Sequence, residues 1–369
     1  MSCDRIDLSH LRVFPLAERR HLSRLDDVLI DPSTPPPPVS AELAASLDAC
    51  AAAIASARAR GAGVMLIYGA HLLRNGAARL LSELMAGGHI THLATNGAGS
   101  IHDWEFSFQA KTSESVRENV ATGTFGTWRE TGDALNLALL VGGARGDGYG
   151  QALGRFIAGD GVDVPTAAEL RARLATMADD DPLLPAVAEL LVAVTSRGLP
   201  TGRVDVAHAW KHASVAAEAF RLGVPWTVHP GIGYDIIACH PWYSGAAVGR
   251  AANVDFARYG AAVDTLDGGV ALNIGTAIME PQVFEKSLSC VNNLRLQAGR
   301  PTVSGHSIYV VDLQDGGGWD WNQGEPPKTS AAYYLRFCKS FARMGGALSY
   351  VQADNATFVH HLWTRLSGA

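Results

Sequence analysis

The sequence predicts a doubly wound α/β fold, a single mainly parallel sheet with helices on both faces. Short apolar runs alternate with segments of helical periodicity along the 369-residue chain, the order expected of parallel strands joined by helical crossovers. Several of these runs stop at Gly, Asn or Asp, where open α/β sheets meet ligands. Apolar residues make up 47% and charged residues 18%, the balance of a chain with a large buried core.

Residues 1–40 are polar and end in Pro35-Pro36-Pro37-Pro38, a stiff stretch that cannot be helical, and form an expected N-terminal arm before a domain over 41–369. Ala41 to Arg60 is alanine-rich with helical spacing, and Gly61-Ala62-Gly63 punctuates it. Val64 to Tyr68 is the first strand, His71 to Met85 a helix stopped by Gly87-Gly88, and Ile90 to Thr95 the second strand. Gly142 to Val164 lacks periodicity and is expected to be loop. Leu183 to Thr195 and Val206 to Leu222 predict helices, and Pro225 to His229 a short buried strand. Gly269 to Ile274 is the next strand, after which Pro281 opens a helix as a first-turn proline. Ile308 to Val311 is a strand, Ala331 to Met344 a helix, Leu348 to Val351 the last strand and Asn355 to Arg365 the closing helix.

No apolar stretch reaches membrane-spanning length and the N-terminus has no signal-peptide pattern, so a cytoplasmic protein is expected. Five cysteines without a Cys-x-x-Cys pair fit a reducing compartment. A net charge of −6 argues against a nucleic-acid partner and is compatible with a cationic small molecule.

Three strand ends are candidate ligand turns: Thr95-Asn96-Gly97-Ala98-Gly99 with Ile101-His102-Asp103, Pro230 to Asp235, and Ala353-Asp354. Each is also compatible with ordinary turn chemistry. Lys339 lies on a helix that places Tyr334, Phe337, Cys338 and Phe341 on one face, with Arg336 and Arg343 on the polar side. It is either one cation of a solvated face or, with its pKa lowered by like charge and burial, a neutral nucleophilic amine. His208 and His212 have helical zinc spacing, but Lys211 between them repels a cation and no metal is expected. His360-His361 is expected to be a helix surface pair, and Gly143 to Gly148 lacks the ending of a phosphate loop.

From about Gly61 onward these segments resemble the deoxyhypusine synthase family. Tyr68-Gly69-Ala70-His71-Leu72 is similar to its first cofactor-contacting strand end, and Thr95 to Gly99 with His102-Asp103 to its threonine-alanine-glycine-glycine turn. Gly231 to Asp235 resembles the turn whose aspartate holds a polyamine, Phe337-Cys338-Lys339 its tryptophan-glycine-lysine, and Ala353-Asp354 its NAD-contacting pair. The resemblance implies a Rossmann-like NAD-binding fold and a homotetramer with sites between subunits. It further implies transfer of an aminobutyl group from a polyamine such as spermidine to an acceptor amine, through an imine on catalytic Lys339. Small polyamines are favoured over a protein acceptor. Asp235, Asp320, Glu325 and Phe337 would bind substrate; Ala70, His71, Thr95, Asn96, Gly97, Ala98, Gly99, Asp103, Ala353 and Asp354 would bind NAD. The alternatives are an NAD-dependent amine oxidoreductase without transfer, and a non-catalytic NAD-binding protein.

Overall fold

The computed structural model describes residues 6–277 and 279–368. The chain divides into two compact units. The sheet unit comprises Val28–Gly99, Arg221–His229 and Phe256–Ala369; the inserted unit comprises Met1–Asp27, Ser100–Phe220 and Pro230–Asp255.

Six strands form the sheet: β1 (Val64–Tyr68), β2 (His92–Asn96), β3 (Trp226–His229), β4 (Val270–Ile274), β5 (Ser307–Asp312) and β6 (Ala347–Gln352). Their spatial order is β6-β5-β4-β1-β2-β3, and every neighbouring pair is parallel. Two half-sheets therefore wind outward from the central pair β1 and β4, in the strand order of dinucleotide-binding folds. Register is fixed by burial on both faces, because a slip of one residue would exchange the two sets of side chains. Met65, Ile67, Ala94, Ala271, Ile308, Val310 and Leu348 share a core with Tyr259, Val263, Phe284, Leu288, Phe337 and Phe341, from helices Gly245–Val263, Met279–Gln297 and Arg336–Ala342. The alternate residues Val64, Leu66, Leu272 and Val311 are also buried. Their face is covered by helices Ala41–Ala59, capped by Ser40, and Asn355–Ser367, which pack on each other.

In the inserted unit, the glycine-rich stretch 142–164 is not a loop. It holds helix Tyr149–Ala158 and strand Gly161–Val164, the strand pairing antiparallel with Gly202–Asp205. Its glycines serve close packing: a Cβ on Gly142 would lie 2.5 Å from Ala152 Cβ, and one on Gly154 2.5 Å from Ala216 O. The helix expected over Val206–Leu222 is confined to Val215–Leu222, so His208 and His212 share no helix; His212 sits in the short turn Lys211–Ala213. His208 is buried, accepting from Trp104 Nε1 at 3.1 Å. Part of the expected arm is anchored here. Arg19 forms a buried two-pronged ion pair with Glu105 at 2.7 and 2.6 Å, and Phe14 bridges to Trp128.

In the sheet unit, Ala331–Met344 is two pieces, Ala331–Tyr334 and Arg336–Ala342, broken at Leu335 (ψ 71). His360 and His361 are not surface residues: they are buried, and their Nε2 atoms bond the carbonyls of Thr34 and Pro37 at 2.9 and 2.6 Å. The Pro35–Pro38 stretch is thereby tied to the last helix. Among the described residues, no helix is long and apolar enough to cross a membrane, and no group of three metal-ligating side chains exists.

Candidate functional site

The candidate site is the carboxyl edge of the sheet where β1 and β4 diverge, the kind of crevice in which such sheets bind ligands. β1 leads into Gly69 and the short helix Ala70–Arg74, and β4 into Gly275 and Thr276. Gly69 N–H donates to Ile274 O at 3.0 Å, and Gly275 N–H to Val311 O at 2.9 Å. A Cβ on Gly69 would lie 2.1 Å from Gly275 O, so the two turns touch backbone to backbone. Gly275 has φ +61, and a Cβ there would meet Asn355 Nδ2 at 2.2 Å. These positions require glycine on steric grounds.

β2 runs straight into helix Gly97–Gln109, so the expected glycine turn is the first turn of a helix. Thr95 Oγ1 donates to Tyr68 O at 3.0 Å, tying β2 to β1, and Asn96 Oδ1 accepts from Gly99 N–H at 2.9 Å as a cap. A Cβ on Gly99 would lie 2.1 Å from Thr95 Oγ1, so Gly99 sets the approach of helix to strand. Asn96 occupies the strand end where dinucleotide folds often place an acidic residue for ribose. Gly97 is buried and Ala98 partly so; Ala70 is buried, while His71 is exposed, its pKa lowered by partial burial and by Arg74.

Behind this edge, on the face covered by helices Gly245–Val263 and Met279–Gln297, lies a polar cluster that the sequence analysis missed. His92 Nε2 and His229 Nε2 lie 3.0 and 3.2 Å from Thr227 Oγ1, and both rings stand edge-on to Tyr259 at 5.5 and 5.1 Å. Burial lowers the two histidine pKa values, His92 to about 3 and His229 to about 4, so both rings are neutral. Glu280, in the first turn of Met279–Gln297, has no exposed surface, and burial raises its pKa to about 8. Neither of its carboxylate oxygens has a partner among the described residues; nor do the Tyr259 hydroxyl and Asn273 Oδ1. A glutamate in a helix's first turn is ordinary dipole chemistry in sequence, so nothing there marked Glu280.

The remaining sequence-predicted residues are dispersed. Ala353 follows β6 at the sheet's edge, and Asp354 caps the last helix, accepting from Thr357 N–H at 2.8 Å. Asp320 is exposed and caps its own turn at Asn322 N–H, 3.0 Å away. Glu325 pairs with Arg343, whose Nε lies at 2.8 Å. Phe337 is core, against Tyr350 at 6.4 Å. Lys339 is half-buried with its Nζ 3.1 Å from the centre of the Tyr333 ring, a cation–π contact. Tyr334, expected on that helix's apolar face, is 72% exposed.

Asp235 and Asp103 belong to the inserted unit. Asp235 is buried, accepts from Gly231 N–H at 2.7 Å, and burial raises its pKa to about 6. Asp103 caps helix Val215–Leu222 through Ser214 Oγ at 2.5 Å and Val215 N–H at 2.7 Å, and burial raises its pKa to about 6 against those bonds.

The fold is thus of the doubly wound α/β class. No family model matches the chain, and no curated protein matches it. Among solved structures it is similar to AgrE in ternary complex with ornithine and NAD+, at 12% identity and TM-score 0.43, covering 89% of this chain and 34% of that one. It is similar to apo ArgZ, an arginine dihydrolase of the cyanobacterial ornithine-ammonia cycle, at 13% identity and TM-score 0.39, covering 89% and 33%. A conserved putative LOR/SDH protein from Methanococcus maripaludis S2 has 14% identity and TM-score 0.42, covering 97% and 74%. The chain spans about a third of the length of ArgZ and AgrE.

These findings correct the family resemblance. The neighbours are arginine dihydrolase and LOR/SDH proteins, not deoxyhypusine synthases, and the aminobutyl-transferase reading, with its spermidine-type polyamine substrate, is withdrawn.

Proposed function

We propose that the chain is an NAD-dependent oxidoreductase acting on a small molecule that carries an amino group. One observation carries the nucleotide part: six parallel strands in dinucleotide-fold order, with Gly69 and Gly275 in backbone contact at the central divergence. Ala70 and His71 beyond β1, Asn96 at the end of β2, and Gly97 and Ala98 beyond it would hold the nucleotide, Asn96 through its amide. The run after β1 lacks a full Gly-x-Gly-x-x-Gly pattern, so backbone at Gly69 and Gly97 substitutes for it. When bound, NAD+ supplies a hydride acceptor. The buried acceptor atoms behind the crevice support a hydride-donating substrate that also carries an ammonium group, because an ammonium brings only N–H donors.

Calorimetric titration with NAD+, followed by incubation with NAD+ and L-ornithine (the amine named with the AgrE complex), tests the proposal. Saturable NAD+ binding and accumulation of NADH are expected. Absence of NAD+ binding at about 1 mM would sink it.

A further inference from the structure

We infer that Glu280 is the counter-charge for the substrate's ammonium group and gives up its own proton when that group binds. The inference deepens the proposal above and rests on it. Glu280 stands in the first turn of the helix that follows β4, immediately beyond the Gly275 turn of the crevice. It has no exposed surface, and neither carboxyl oxygen has a partner among the described residues. An unmade hydrogen bond at a buried polar atom costs about 1–3 kcal/mol, so an unpartnered carboxyl is costly to keep.

The surrounding atoms specify the missing partner. Tyr259, whose hydroxyl is also buried and without a partner among the described residues, lies close enough that Glu280 raises its pKa further. Asn273 sits on β4 two residues beyond Ala271 and in register with Ile67 and Val310, on the sheet face that carries Tyr259. Its amide donates to Thr276 O at 2.9 Å, leaving Oδ1 unpartnered. The histidines that face Tyr259 from β2 and β3, His92 and His229, are neutral, and burial is the sole cause that shifts Glu280. No N–H donor among the described residues reaches the Glu280 carboxyl oxygens or Asn273 Oδ1, and the set carries no positive charge. An ammonium supplies both, and in its presence the carboxyl ionises, because an opposite charge at contact distance favours the charged form. The balance is simple: Glu280–COOH and R–NH3+ become an ion pair, and one proton passes to the buffer. Glu280 has no exposed surface, so the Gly275–Ala277 turn before it must shift for the pair to form.

Titrating the NAD+-saturated protein with L-ornithine, in buffers of different ionisation enthalpy, reads this directly. Near pH 7 about one proton should be released per ornithine, declining toward zero by about pH 9, where Glu280 is already ionised. In Glu280→Gln the release should disappear and affinity should fall at least ~10-fold. Binding without proton release, release that persists unchanged in Glu280→Gln, or failure of ornithine to bind the NAD+-loaded protein would each overturn the inference. If Glu280→Gln does not fold, the pH profile of the wild-type release decides alone. Failure of NAD+ itself to bind removes both readings, whereas NAD+ binding without the proton signal removes only this one.

Discussion

Glu280 gives the clearest pH signature in the molecule. Its folded pKa of about 8 lies above the ordinary value of 4.5, so the folded chain holds a proton that the unfolded chain gives up. Stability therefore falls as pH rises from about 4.5 to about 8, by at most about 5 kcal/mol, and Glu280→Gln should remove that fall. Melting curves of both proteins across this range check it; parallel curves would show that Glu280 is solvated. Asp103 behaves differently, because two backbone N–H groups of helix Val215–Leu222 and the Ser214 hydroxyl depend on it. Asp103→Ala should cost about 2 kcal/mol in denaturant unfolding, since it orphans those donors in a buried place. Lys339→Ala should leave any NADH production within about twofold of wild type, because the ammonium is engaged with Tyr333. A loss of orders of magnitude would restore a catalytic lysine.

Between elements, steric demand at glycine separates positions that look alike in sequence. Gly69→Ala places a Cβ against Gly275 O and should destabilise by about 1–3 kcal/mol while abolishing NAD+ binding. Gly249→Ala, in an exposed turn of Gly245–Val263 with open space around it, should instead stabilise by about 0.5–1 kcal/mol. Both are read by thermal unfolding and calorimetry. The buried pair Arg19–Glu105 links the N-terminal segment to helix Gly97–Gln109. Burial opposes the charge on Glu105, yet Arg19 and Thr112 hold its pKa below the usual carboxylate range. Glycine also explains why 142–164 was illegible: the same residue marks turns and tight helix contacts, and composition cannot separate them. Helix Val215–Leu222 was overextended because its start is set by Asp103, a residue distant in sequence.

At the scale of the molecule, the six strands were legible because each is short, apolar and closed by a breaker, and all six fall where the sequence places them. Their spatial order was not, since it depends on long-range pairing. The candidate site was legible only at its rim. Gly69, Asn96 and Gly97 stand at strand ends, but the acceptor cluster behind them joins Glu280, Tyr259 and Asn273 from three elements. NAD+ at a hundred times its Kd should add about 2.7 kcal/mol to the stability of the fold that binds it, a rise of several degrees in Tm. A flat thermal-shift series would contradict the nucleotide site.

The path of the chain has a consequence for synthesis. β1 and β2 emerge from the ribosome early, but β3 follows only after residues 97–225, and β4, the other neighbour of β1, later still. The β1–β2 pair must wait with both of its outer edges unpaired, which favours slow maturation and exposes the nascent chain to self-association or chaperone capture.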